Sequence, residues 1–295
     1  MQSVAKKSEK SLFKAYLSLT KAPLSAAVGL PGLLVYLLVK QHFSVELWIA
    51  LLGIFLLALG VSALNQYQER YVDAQMPRTQ NRPLVTGSIS EMEALCLIVA
   101  LIGFATICFY AVLGWIGVGI SALVILLYNV IYTPLKKISP YAVIPGAILG
   151  VIPPVICWMV AGESIVSPAF ISLAWFYFIW QIPHFWLLVL IYHRDYAKAG
   201  LPTMVDVFGE VTLARITFIW ILLTIISALM VVPFFMPKSY VILGLILGHS
   251  LFLLWKSLIL LKPFVWIERL TCKKTFMQLN LYTLAIVLFL VIDRW

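Results

Sequence analysis

Long apolar runs separated by short polar breaks dominate the chain, and nine of the runs are long enough to cross a bilayer. They cover Ala22–Val39, Val45–Leu64, Ala94–Leu113, Gly114–Tyr132, Tyr141–Ala161, Ser167–Ile191, Ile216–Val232, Tyr240–Leu261 and Phe276–Ile292. A hydrocarbon core about 30 Å thick needs roughly 20 apolar residues per helix. None of the runs alternates polar and apolar positions as a barrel strand would. Backbone groups in lipid must bond within their own segment or around a closed barrel, so each run predicts a helix. The first is short and interrupted by Pro31-Gly32. No linker or low-complexity tract divides the chain. Residues 1–295 therefore read as one all-α, polytopic membrane domain of nine transmembrane helices.

The polar breaks are uneven. Most are tight, but 65–93 and 192–215 predict two long polar loops, and loops of that length are usually functional or disordered. Together they hold seven of the twelve acidic residues: Glu69, Asp73, Glu91, Glu93, Asp195, Asp206 and Glu210. In the first, Asn65, Glu69 and Asp73 recur at every fourth position. If the preceding helix continues, each step drifts by only about 40°, so the three side chains form one column about 12 Å long. An amide and two carboxylates are hard oxygen ligands, which suit Mg²⁺ better than zinc or copper. Arg78 and Arg82 follow, and their planar forks match phosphate oxygens. The pattern predicts a diphosphate site. A solvated face of paired salt bridges is the plain alternative, and a solute transporter is the other functional one. Transporter sites lie near the bilayer midplane, whereas these charges crowd one end. That favours an enzyme which draws a lipid-like substrate from the membrane and handles its charged end at the surface.

Composition sharpens this picture in two ways. With 63% hydrophobic and 11% charged residues, the chain has more apolar surface than a soluble domain could hide. The net charge of +9 would suit a nucleic-acid partner, but its distribution argues otherwise. With the N-terminus in the cytoplasm, 18 of the 21 Lys and Arg fall on the inner side, leaving Lys40, Lys238 and Arg294 outside. This is the positive-inside pattern, and nine spans then put the C-terminus outside. The basic excess is topology and contact with anionic lipid. Residues 1–21 have neither the apolar core of a signal peptide nor any arginine, so they read as a cytoplasmic lead-in at the membrane surface. That makes a bacterial inner membrane the expected address, ahead of a mitochondrial one. The cysteines Cys96, Cys108, Cys157 and Cys272 form no CxxC and read as core residues.

The column and the "MPRTQNRPLVTG" after it resemble the first aspartate-rich motif of the UbiA superfamily of membrane prenyltransferases, and within it the heme o synthases, or protoheme IX farnesyltransferases. Three later stretches point the same way: "YTPLKKIS" (Tyr132–Ser139), "GAILGVIPPVICW" (Gly146–Trp158) and "WQIPHFW…HRDYAKAGLPTM" (Trp180–Met204). The similarity runs in matching order from about Asn65 to Met204. The chain departs from the usual pattern in having Glu69 where Asp is typical, and Gln66 where Asp often follows the Asn.

The resemblance implies nine helices around a central cavity, open to lipid and capped by the two polar loops. It implies transfer of farnesyl from farnesyl diphosphate to a vinyl group of heme b, with addition of water, giving heme o for heme-copper oxidases. A heme a synthase would then be the downstream partner. Asn65, Glu69 and Asp73 would hold Mg²⁺; Arg78, Arg82, Lys136 and Arg194 would contact the diphosphate, with Asp195 a further catalytic acid. Tyr67, Tyr132 or Trp180 could face the allylic cation, though such rings more often pack or mark the interface. His184 could meet heme iron if Pro183 breaks its helix, and His193 and Lys198, with Arg194, could meet the propionates. A lone His in a span more often bonds a neighbouring carbonyl. No second carboxylate pair is evident around Asp195, although Asp206 and Glu210 are spaced to form one of their own. Prenylation of a quinone-precursor aromatic acid is the alternative within the superfamily.

Overall fold

The computed structural model describes residues 9–262 and 269–295, and every regular element among them is helical. Among the described residues, nine helical segments are long and apolar enough to cross a membrane. They are Ala22–Lys40, Val45–Asp73, Glu91–Leu113, Trp115–Leu135, Pro140–Val160, Pro168–Lys198, Met204–Phe235, Tyr240–Leu261 and Arg269–Arg294, called spans one to nine below. Each predicted run is therefore present. Spans two, six and nine extend well beyond their apolar limits as continuous helix, and span seven does so across an interruption at Gly209. The 29 residues of span two reach about 44 Å, which exceeds the hydrocarbon core and carries its last turns to the surface.

The expected polar loops shrink accordingly. Span two is helical to Asp73 and span three begins at Glu91, which leaves turns over 74–90. The second connection is only 199–203. The segment "YHRDYAK" holds no breaker, so span six runs through it and stops before Gly200, which sits in the left-handed region at φ 66°. A reciprocal Thr203–Asp206 capping box then starts span seven, which is interrupted at Gly209 (φ 72°, ψ 160°).

Proline is a poor guide to the breaks. Span one is divided at Gly29, ahead of Pro31, which sits in the first turn of Leu30–Lys40 where no N–H is needed. Span six continues through Pro183 without a break, contrary to expectation. Span five, by contrast, is two helices, Val143–Leu149 and Ile152–Val160. A Cβ added to Gly150 at that join would lie 1.9 Å from Gln181 Nε2, so a side chain there would displace Gln181 of span six from its place against the join.

Spans two and three pack together, as do six and seven, six and nine, and one and five. Lipid offers no hydrophobic drive between helices, so close contact depends on small residues. Gly32 illustrates this, since a Cβ there would meet the Pro153 carbonyl at 2.8 Å. Outside the spans, the helix Glu9–Leu19 docks on the end of span two through Leu19, Ala63, Ile89, Ala94 and Ile98. The first eight residues of the lead-in lie outside the described residues.

Candidate active site

The helix of span two continues as the spacing required, and Asn65, Glu69 and Asp73 are all buried along it. Two carboxylates buried side by side need opposing charge. Each receives a cation from a different part of the chain. Lys136 Nζ lies 2.8 Å from Glu69 Oε2, and Arg82 forms an ion pair with Asp73 Oδ2. Arg82 arrives on the 74–90 turns, which Thr79 anchors by donating to the Asp73 carbonyl at 2.9 Å. The other carboxylate oxygen, Asp73 Oδ1, is buried with no hydrogen-bond partner. Asn65 spends its amide N–H on Thr133 Oγ1 at 3.0 Å, which leaves its carbonyl oxygen as the acceptor on the column.

Lys136 and Thr133 reach the column because span four widens into a π-helical stretch over Leu126–Tyr132. Such insertions shift the following side chains around the helix. The stretch is held by a reciprocal amide clasp. Gln68 Nε2 donates to the Asn129 carbonyl, and Asn129 Nδ2 donates to Gln68 Oε1, both at 3.1 Å. Asn129 also donates to the Val61 carbonyl at 3.2 Å.

Two further residues belong here: Gln66, noted above only as a departure from the family pattern, and Lys21, counted above only toward topology. Gln66 Nε2 donates to the carbonyls of Ser18 and Leu19 at 2.8 and 2.9 Å, satisfying the open end of the lead-in helix. A carboxylate could not donate, which gives the Gln at this position a physical reason. Two residues on, Lys21 adopts a left-handed conformation (φ 49°, ψ 42°) ahead of span one. Its ammonium sits within electrostatic reach of Arg82, Lys136, Glu69 and Asp73; burial, then the two neighbouring cations, lower its pKa to about 8. Three cations thus surround two carboxylates. A cluster of cations over paired carboxylates is suited to an anion that brings its own divalent cation.

Residues 16–291 match the UbiA prenyltransferase family. The chain belongs to that family. It is 37% identical over 191 residues to the protoheme IX farnesyltransferase of Oleidesulfovibrio alaskensis, covering 65% of this chain and 68% of that one. To the protoheme IX farnesyltransferase of Synechococcus sp. (strain JA-2-3B'a(2-13)) it is 33% identical over 252 residues, covering 84% and 74%. Its fold is that of a UbiA homolog from Archaeoglobus fulgidus solved with DMAPP and Mg²⁺ (TM-score 0.67, 18% identity, 92% and 98% of the two chains). A digeranylgeranylglyceryl phosphate synthase structure is also similar (TM-score 0.76, 15% identity, 96% and 98%).

The remaining acids of this UbiA prenyltransferase are mostly occupied. Glu91 pairs with Arg70 at 3.0 Å, and Glu93 closes the capping box of span three. Asp206 is spent on its own capping box, and Glu210 Oε1 lies 2.5 Å from His193 Nε2. The spacing of Asp206 and Glu210 therefore does not yield a second carboxylate pair, and His193 is committed to Glu210. Asp195 is half-buried, and no salt bridge among the described residues includes it.

Arg78 stands apart from the column. Its guanidinium lies over the rings of Tyr192 and Tyr196, 4.8 and 5.7 Å from their centroids, and so ties the 74–90 turns to the end of span six. Arg194 and Lys198 are exposed on that same end. Tyr132 is stacked with Tyr128 (centroids 5.7 Å apart) beneath the Lys136 ammonium, at the foot of the column. Tyr67 instead packs with the lead-in helix cluster and under Arg70. Deeper in the bundle, His184 Nδ1 meets Asn280 Oδ1 at 2.9 Å, while Asn280 Nδ2 donates to the Phe276 carbonyl. That second bond orients the amide, so Nδ1 carries the imidazole proton and Nε2 keeps its lone pair. Beside it lies Trp180, whose indole N–H is buried without a partner.

The column fits a hard divalent cation on its own evidence. It presents the Asn65 carbonyl oxygen and two carboxylates, and Asp73 Oδ1 is an orphaned buried acceptor that a cation would satisfy.

Proposed function

We propose that the chain transfers a farnesyl group from farnesyl diphosphate to a vinyl group of heme b, with addition of water, giving heme o. The likeness to relatives named protoheme IX farnesyltransferase carries this choice of substrates. The cation-flanked acidic column, set at the end of a membrane bundle, supports diphosphate departure as the chemistry. The new C–C bond joins C1 of the farnesyl chain to the outer vinyl carbon as diphosphate leaves. Water adds its oxygen to the inner vinyl carbon and releases one proton.

Lys21, Arg82 and Lys136 face the diphosphate oxygens, whose negative charge grows as the C–O bond breaks, so they favour the transition state over the bound substrate. Mg²⁺ held by Asn65, Glu69 and Asp73 would supply Lewis-acid neutralisation of the leaving diphosphate. Substrate binding frees Arg82 and Lys136 from the carboxylates that hold them in its absence. The Tyr132 ring offers its face to the allylic cation. Arg78 fixes the 74–90 turns against the end of span six beside the site, and Asp195 is the acid left for the reaction. His184 Nε2 and the Trp180 N–H are the polar groups available to heme in the interior, and the exposed Arg194 and Lys198 suit its propionates. The site opens on the cytoplasmic side of a bacterial inner membrane.

A single-turnover reaction in detergent with heme b, farnesyl diphosphate and Mg²⁺ tests this reading, with extracted hemes resolved by chromatography and mass detection. Formation of hydroxyethylfarnesyl heme is expected. Active membranes that lack this product, yet prenylate an aromatic acid, would move the chain to the quinone-precursor reading.

A further inference from the structure

A second site lies away from the column, where spans eight and nine separate at their polar-loop end. A groove of about 390 Å³ opens there, lined by Trp255, Lys256, Leu258, Lys262, Thr271 and Lys274 among others. Its end of the bundle is set by Arg269, at the start of span nine, which lies 5.0 Å from the same Tyr192 ring that Arg78 covers. The groove therefore sits at the level of the membrane surface on the side bearing most of the chain's cations.

Its chemistry is lopsided. Three lysines line it, and no carboxylate among the described residues lines it or forms a salt bridge with them. Lys256 is steadied by ring faces, 4.0 Å from Trp255 and 5.6 Å from Phe252. On span nine, Thr271, Lys274 and Gln278 line the groove at i, i+3 and i+7, which is one stripe of a helix. A polar stripe on the outside of a membrane span would be costly against hydrocarbon. Leu251, one turn deeper on span eight than Trp255, stays 66% exposed as a surface for an acyl chain, and Leu258, between Lys256 and Lys262, stays 45% exposed. Cations at headgroup depth above an apolar wall match an amphiphile with a negative head.

We propose that this groove binds the phosphate headgroup of an anionic phospholipid, with Lys256, Lys262 and Lys274 on the phosphate, Thr271 and Gln278 as further donors, and a chain along span eight. Free phosphate would use the lysines but leave the apolar wall without a role. Zwitterionic lipid would bring its own ammonium against three others. Each lysine near a membrane surface contributes about fivefold in affinity for anionic lipid, so losing all three costs on the order of 100-fold.

The test is native mass spectrometry of the full chain with equal phosphatidylglycerol and phosphatidylcholine, which reads lipid occupancy and is independent of the reaction proposed above. Retention of phosphatidylglycerol is expected, about fivefold weaker in Lys274→Gln and intact in Lys274→Arg. Lys273→Gln is the decisive comparison: it removes the same charge one residue away, off the stripe, and should leave retention unchanged. Equal losses in Lys273→Gln and Lys274→Gln would reduce the effect to surface charge and overturn the site. Displacement of the lipid by millimolar inorganic phosphate would overturn the lipid assignment.

Discussion

Asp73 divides its two oxygens between two tasks, one paired with Arg82 and the other left without a partner in a buried setting. Asp73→Asn keeps the shape, removes the charge and unpairs Arg82. The expected result is a fall in single-turnover rate on the order of 10²–10³-fold with the protein still folded. A rate within threefold of wild type would remove Asp73 from the chemistry. Lys21 allows a different kind of test. Its depressed pKa of about 8 means that the neutral, nucleophilic amine dominates above that pH, whereas an ordinary lysine stays charged until about 10.4. In metal-free protein, reductive methylation of Lys21 followed by mass spectrometry should therefore show a midpoint near 8. Bound diphosphate brings negative charge, favours the ammonium, and should move the midpoint upward. A midpoint at the ordinary lysine value would place Lys21 in solvent. Because Lys21 has a left-handed backbone (φ 49°), Lys21→Gly should relieve about 1 kcal/mol of strain while weakening diphosphate affinity about tenfold. Stability and binding then move in opposite directions, which loss of fold cannot imitate.

At the scale of elements, the site depends on helix ends brought into register by amides. Gln66 holds the lead-in helix, and the Gln68–Asn129 clasp holds the π-helical stretch of span four. Gln66→Glu replaces two donated hydrogen bonds with carboxylate facing carbonyl, so a loss of about 1–3 kcal/mol is expected, read as a lower thermal midpoint in detergent. If Gln66→Glu melts with the wild type, the lead-in helix is not docked there. These contacts explain what could be read in advance. Asn65, Glu69 and Asp73 were legible because one helix fixes their relation, and helical spacing is written in the chain. The partners Lys136 and Arg82 were recognisable only through the family resemblance and the type of charge. Lys21 stayed hidden because it counts toward topology like any lysine before a span; "TKAP", with Pro23 in the first turn, was its one local mark. The overlong second loop came from reading polarity as irregular structure. "YHRDYAK" is polar yet helical, and the true stop, Gly200 followed by Pro202, was present in the letters.

At the scale of the whole molecule, the charge distribution makes the orientation testable. Arg70, Arg78, Arg82, Lys136, Arg194 and Arg269 all stand at the polar-loop end, joined by the contacts on Glu69, Asp73, Glu91 and Tyr192 or by adjacency in the end of span six. Lys40 and Arg294 stand at the other end, where Arg294 donates to the Leu38 carbonyl two residues before Lys40. Basic segments are retained in the cytoplasm during insertion, so an inverted molecule would translocate most of the chain's cations. The expected arrangement has the column facing the cytoplasm, where a soluble diphosphate product can leave. In a background with the four native cysteines replaced, His42→Cys and Gln80→Cys report the two ends, both positions being exposed. In spheroplasts of an expressing bacterium, a membrane-impermeant maleimide should label His42→Cys directly. Gln80→Cys should react only after permeabilisation. The reverse pattern would put the column and its cations outside, away from cytoplasmic Mg²⁺ and diphosphate substrates, and would overturn the orientation together with the catalytic side assigned to it.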